Sequence, residues 1–154
     1  VSWLYHLTIP LDENWLLLGD FNFIRSLDNR NLPGGDINDI FLFNEIIGHL
    51  GLLELPIKGR SFTWSNMQQI PLLEQLDWFF TTSDWISHYP NTVVFPLAKT
   101  ASDHMPCVVQ LTLKSPSPRF LGLKISGWKC QGLWNVSRNL GRPLCFPTSL
   151  HLQF

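Results

Sequence analysis

The sequence predicts an α/β (α+β) domain, in which a mixed sheet carries helix packed on its outside. Three observations lead there. A short continuous apolar run, "WLLLGDF" at 15–21, has the length and composition of a strand buried on both faces. Ile37, Ile40, Phe41, Asn44, Ile47 and Leu50 recur at helical spacing. Several strand-like runs then follow, with one short helical stretch among them.

Taken in order, the strand at 15–21 ends on two polar side chains, Asp20 and Asn22. The turn signal "LPGGD" precedes the helix, Asp36 stands where an N-cap belongs, and Gly51 lies just past the end. "RSFTWSN" is strand-like, and "LDWFFTT" is a second buried-strand run. "SDWISHY" predicts a short helix capped by Ser83, and "TVVFPL" and "PCVVQLTL" close the pattern as strands. The Ser115-Pro116-Ser117-Pro118 stretch reads as a linker, and the residues after it keep no period for long. The chain therefore divides into a folded part, 1–113, and an irregular tail, 114–154.

Composition narrows the class. A chain of 154 residues is long enough for one domain with a real core. With 45% hydrophobic and 15% charged residues it does not belong to the disordered polar class. No apolar run approaches the roughly 20 residues that a membrane span needs. The chain begins at Val1 without a basic and apolar leader, so it reads as a cut start with no secretory signal. Cys107, Cys130 and Cys145 are three in number with no CxxC spacing, which supports neither a disulfide framework nor a zinc site and makes a reduced, intracellular setting the default. Charge is divided unevenly. Residues 1–113 hold all 12 acids and five bases, a formal −7, whereas 114–154 hold six bases and no acid, +6.

Acid, amide and imidazole groups gather near strand ends. Asp20 and Asn22 are two apart, so on an extended segment both face one way. There a carboxylate could orient or deprotonate a water, and an amide could bond a phosphate oxygen. Asp103 and His104 in "ASDHMP" could supply a metal-linked carboxylate and an imidazole aimed at developing negative charge. Such an imidazole needs an orienting partner, and a buried carboxylate such as Asp77 is the obvious kind. Each also has a plain structural reading: a turn for Asp20, a cap or turn for Asp103, a structural pair with His104, a core ring for Trp64. His6, His49, His88 and His151 form no ligand spacing.

The ordered set "WLLLGDFN", "GRSFTWSN", "LLEQLDWFF" and "TASDHMPCVVQL" resembles the C-terminal half of the endonuclease/exonuclease/phosphatase superfamily, the deoxyribonuclease I-like fold. With its "TWSN" and short "SDW" helix it is most similar to the endonuclease domain of plant non-LTR (LINE-type) retrotransposons, over residues 12–113 or so. The resemblance implies a four-layer α/β sandwich, a magnesium ion with manganese as its substitute, and DNA as the intact domain's partner. It gives Asp20 the attacking water, Asn22 the scissile phosphate and Asp103 a place in the metal cluster. His104 would stabilise the transition state, Asp77 would orient His104, and Trp64 and Asn66 would meet the nucleotide at the rim.

The match departs in two places. Gln75 stands where the family commonly has arginine, and the family's first half, with the principal metal-ligand glutamate, has no counterpart here. The implied protein is a truncated remnant, inactive alone, that supplies mostly one sheet and leaves its inner face uncovered for self-association or aggregation. Retroelement ancestry implies the nucleus. The acid-free tail with its broken periodicity suggests a segment from another reading frame or a splice into unrelated sequence. Two alternatives stay open: a phosphoester or phosphoinositide phosphatase of the same superfamily, and a non-enzymatic fragment whose basic, aromatic tail binds nucleic acid.

Overall fold

A computed structural model describes residues 2–9, 13–98 and 102–112, together with four strands further along the chain. Its longest helix begins where the sequence puts it. Asp36 accepts the backbone N–H of Asn38 at 2.8 Å and opens α2, Ile37–His49. Gly51 just beyond has φ +62°, the left-handed conformation that lets a chain leave a helix without Cβ strain. A short α1, Ser2–Tyr5, precedes β1, Trp15–Asp20. After α2 come β2 (Leu53–Glu54), β3 (Trp64–Ser65), β4 (Leu73–Glu74) and β5 (Asp77–Thr81). The short helix α3, Ser83–His88, leads to β6 (Val93–Pro96) and β7 (Cys107–Thr112). The helix α3 is capped one residue earlier than expected, at Thr82 instead of Ser83, and without a side-chain cap bond. The Thr82 hydroxyl donates instead to the Glu13 carbonyl at 2.6 Å and accepts from Trp15 N–H at 3.2 Å, tying α3 to the start of β1.

The architecture is mixed α and β with antiparallel sheets and few helices. One sheet has the order β10-β9-β1-β5-β2, a second has β11-β8-β7-β6, and β3 pairs with β4. The expected mixed sheet is corrected by this pairing: every ladder between these strands is antiparallel, and among the described residues the parallel contact is a single bridge, Ile57 to Val94. The apolar run in β1 comes from burial on both faces, which packing layers can impose on an antiparallel strand as well as a parallel one.

Alternation along β1 and β5 shows those layers. Leu17, Trp78 and Phe80 point to one side and pack with Phe43, Ile46 and Ile47 of α2. Leu16, Leu18 and Phe79 point to the other and pack with Val94 of β6 and Cys107, Val109 and Leu111 of β7. Helix, sheet and second sheet thus stack in that order. The uncovered inner sheet face expected from the sequence is therefore corrected among the described residues, because the β6–β7 pair belongs to a second sheet laid against the first. On the other face of that second sheet, among the described residues, Phe95 is exposed and Val93 and Val108 are half-buried.

The tail also departs from its irregular reading. Strands β8 (Phe120–Ile125) and β11 (His151–Gln153) extend the second sheet, and β9 (Gly132–Asn135) and β10 (Leu144–Cys145) extend the first. Their strand character comes from the partners: β8 lies along the whole of β7, and β9 along β1. A local period cannot reveal such a strand, since its conformation is fixed by ladder bonds to distant residues.

Candidate metal and phosphate site

The site begins with a register. β1 and β5 run antiparallel with Asp20 directly opposite Asp77, so two buried carboxylates meet at one end of the sheet. A third segment brings the imidazole. The Ser65 N–H donates to the Asp103 carbonyl at 3.1 Å and the Met105 N–H to the Thr63 carbonyl at 2.7 Å, so residues 103–105 are laced to the β3 segment. His104 then stands between the carboxylates, Nδ1 at 3.0 Å from Asp77 Oδ2 and Nε2 at 3.7 Å from Asp20 Oδ2. With Nδ1–H donating to Asp77, the ring turns Nε2 toward Asp20.

Local bonds hold each acid in place. The backbone N–H of Asn22 donates to Asp20 Oδ1 at 3.0 Å and its Nδ2 to Oδ2 at 3.1 Å. Asn22 makes both bonds from φ +56°, a left-handed conformation that asparagine tolerates better than most residues. Asp103 Oδ2 accepts the indole N–H of Trp64 at 3.0 Å. The buried Thr63 hydroxyl accepts from the backbone N–H of Leu76 at 3.1 Å and of Asp77 at 3.0 Å. Thr63 thereby fixes the segment that carries Asp77 to the same stretch that holds residues 103–105.

Electrostatics follow from the crowding. Burial and the neighbouring Asp77 raise the Asp20 carboxyl above its ordinary value, against the lowering effect of Asn22 and His104. Burial opposes charge on His104, but the hydrogen bond and charge of Asp77, with Asp20 and Asp103, prevail and raise it above 6.5. For Asp103 burial raises and the Trp64 bond with His104 lowers, the net direction being down.

These groups open onto a cavity of about 380 Å³ lined by Asp20, Asn22, Trp64, Glu74, Leu76, Asp103 and His104. Of the candidates named from the sequence, Asp20, Asn22, Trp64, Asp103 and His104 are brought to this cavity, and Asp77 sits behind His104. Asn66 does not line it. Its Oδ1 accepts from the backbone N–H groups of Leu72 at 3.0 Å and Gln68 at 3.3 Å, closing the loop between β3 and β4. Gln75 pairs with Asn29 through Nδ2 to Oε1 at 3.1 Å. Two residues that sequence reading passed over belong to the site. Glu74 lines the cavity while paired with Arg30 at 3.0 Å, and Thr63 supports Asp77. The "T" of "TWSN" was visible, but its role depends on a partner 14 residues away.

Among the described residues, Asp20, Asp77 and His104 form the group able to hold a metal ion, each offering a ligand atom within 4.8 Å of the others. Two buried carboxylates facing one another, with burial and Asp77 raising the proton affinity of Asp20, are a donor set that a divalent cation would relieve. An imidazole nitrogen in the set suits first-row transition metals as well as it admits a hard cation. Asp103 lies outside that group, its carboxylate bonded to Trp64 across the same cavity. No helix among the described residues is long and apolar enough to cross a membrane. The chain matches no protein-family model, and no curated protein or solved structure matches it significantly.

Proposed function

We propose that this chain carries the C-terminal half of a metal-dependent phosphodiesterase centre of the deoxyribonuclease I-like type, the intact form of which nicks DNA by attack of water on a backbone phosphate. One observation supports this most: Asp20, Asn22, Asp103 and His104, from separate segments, line one cavity, with Asp77 bonded to the imidazole. In this reading the four-layer sandwich is completed by a half that these residues do not include.

The roles follow from the chemistry of the side chains. Asp20, with its proton affinity raised, takes a proton from the attacking water. His104, its proton affinity raised by the Asp77 bond against the effect of burial, donates from Nε2 to a phosphate oxygen as charge builds there. Asn22 holds Asp20 through one N–H of its amide, and the other N–H is the one it would offer to the phosphate. Asp20 and Asp103 are the carboxylates lining the cavity that would be available to a magnesium or manganese ion, which when bound would neutralise phosphate charge. The glutamate that the resemblance implies has no counterpart among the 154 residues, so the half-centre is inactive alone.

The test is plasmid nicking. A folded chimera that joins this chain to the first half of an active enzyme of that type is expected to nick supercoiled DNA in magnesium. EDTA and the D103A/H104A double variant should each abolish nicking. A folded chimera that does not nick would sink the proposal. So would nicking untouched by the double variant.

A further inference from the structure

A second cavity of about 230 Å³ shares Trp64 with the first and is lined by Arg60, Phe62, Thr63 and Met105 among others. Its cation is available. Arg60 is exposed, its Nη1 rests 3.3 Å from Met105 Sδ, and among the described residues no carboxylate stands within ion-pair distance of it. Met105 follows His104 directly, so the guanidinium is anchored one residue from the imidazole.

The opposite end differs in charge. Past Asn22, Glu74 and Leu76 the groove leads to a cavity of about 180 Å³ bordered by Asp36 and Asp39, where Arg30 is already paired with Glu74. One end therefore offers an arginine that has no carboxylate partner among the described residues and shares its cavity with Phe62 and Trp64, and the other offers carboxylates.

We infer that the Arg60 cavity is a binding subsite for the backbone phosphate next to the one held at His104. The strand runs from the centre past Trp64 toward Arg60 and away from Asp39. This inference rests on the phosphodiesterase reading and adds to it a second phosphate contact and a direction. Guanidinium matches phosphate geometry through paired N–H donors, and Phe62 and Trp64 give the intervening sugar an apolar wall. A contact of this kind positions a nucleic acid without reading its sequence.

Anisotropy of a short labelled DNA duplex with the full chain, measured across salt concentrations, tests the subsite. R60Q is expected to weaken binding about three- to tenfold for every duplex sequence and to lower the salt slope by about 0.9. R60K restores part of the loss, and D39N weakens nothing. Unchanged binding in R60Q with a loss in H104Q would overturn the subsite and leave the phosphodiesterase reading intact. Loss in neither variant would overturn both. Displacement of the duplex by soluble inositol trisphosphate at matched phosphate concentration would overturn the polymeric substrate. Arg60 is exposed, so a folding defect in R60Q is not anticipated, and circular dichroism checks this.

Discussion

His104 Nδ1 lies 3.0 Å from Asp77 Oδ2, a contact between residues 27 apart that joins the loop before β7 to the first residue of β5. Its consequence is a titration. Burial disfavours the imidazolium, yet the Asp77 bond and the surrounding carboxylates raise its pKa above 6.5. A group bound more tightly to its proton when folded adds stability that is fully present below its unfolded pKa, near 6.5, and is lost as pH climbs through the folded value. In D77N the His104 midpoint, followed by NMR of its ring protons, should fall below that of the wild type. The stability-against-pH curve should flatten in the same window. An unmoved midpoint would show that Asp77 does not hold the imidazolium.

Phe43 is fully buried, with Phe21 and Phe23 at ring-centroid distances of 5.6 and 5.5 Å and Trp78 and Phe80 at 6.3 and 6.1 Å. It is the ring through which α2 grips the first sheet. Phe43→Ala should cost about 3–5 kcal/mol, read as a lower denaturant midpoint in chemical unfolding. A cost under about 1 kcal/mol would mean that the helix is not seated as described.

The cap of α2 is a smaller, cleaner quantity. Asp36→Ala removes the acceptor for Asn38 N–H and should cost about 1 kcal/mol, with Asp36→Asn or Asp36→Ser retaining most of it. Equal losses in all three would assign the effect to charge and not to the capping bond.

Cys107 lies between the two sheets, and burial with the nearby Asp77 charge pushes its thiol up to about 12. A thiol of that kind is inert, since the thiolate is the nucleophile. Iodoacetamide at neutral pH should leave Cys107 unlabelled in the folded chain and label it in denaturant, with peptide mass spectrometry locating the adduct. Rapid native labelling at Cys107 would contradict the packing of β7 on β1.

By itself the sequence determined the elements whose signals are local. The helix from Ile37 was legible because the Asp36 cap, the apolar spacing and Gly51 act within a few residues of one another. β1 and β5 were legible as runs that only burial suits, and β6 and β7 as strand-like apolar runs. The polar residues that end β1 pointed to a site for the same reason, since Asp20 and Asn22 interrupt a buried pattern. Only the tertiary structure decided how these pieces meet. Asp20 faces Asp77 through a ladder register, and register is a relation between strands that neither strand contains alone. The same holds for Glu74 at the cavity wall, for Thr63 beneath Asp77, and for Arg60 beside the residue that follows His104. Backbone preference is written at short range, whereas a site is a coincidence of distant side chains that packing alone brings about.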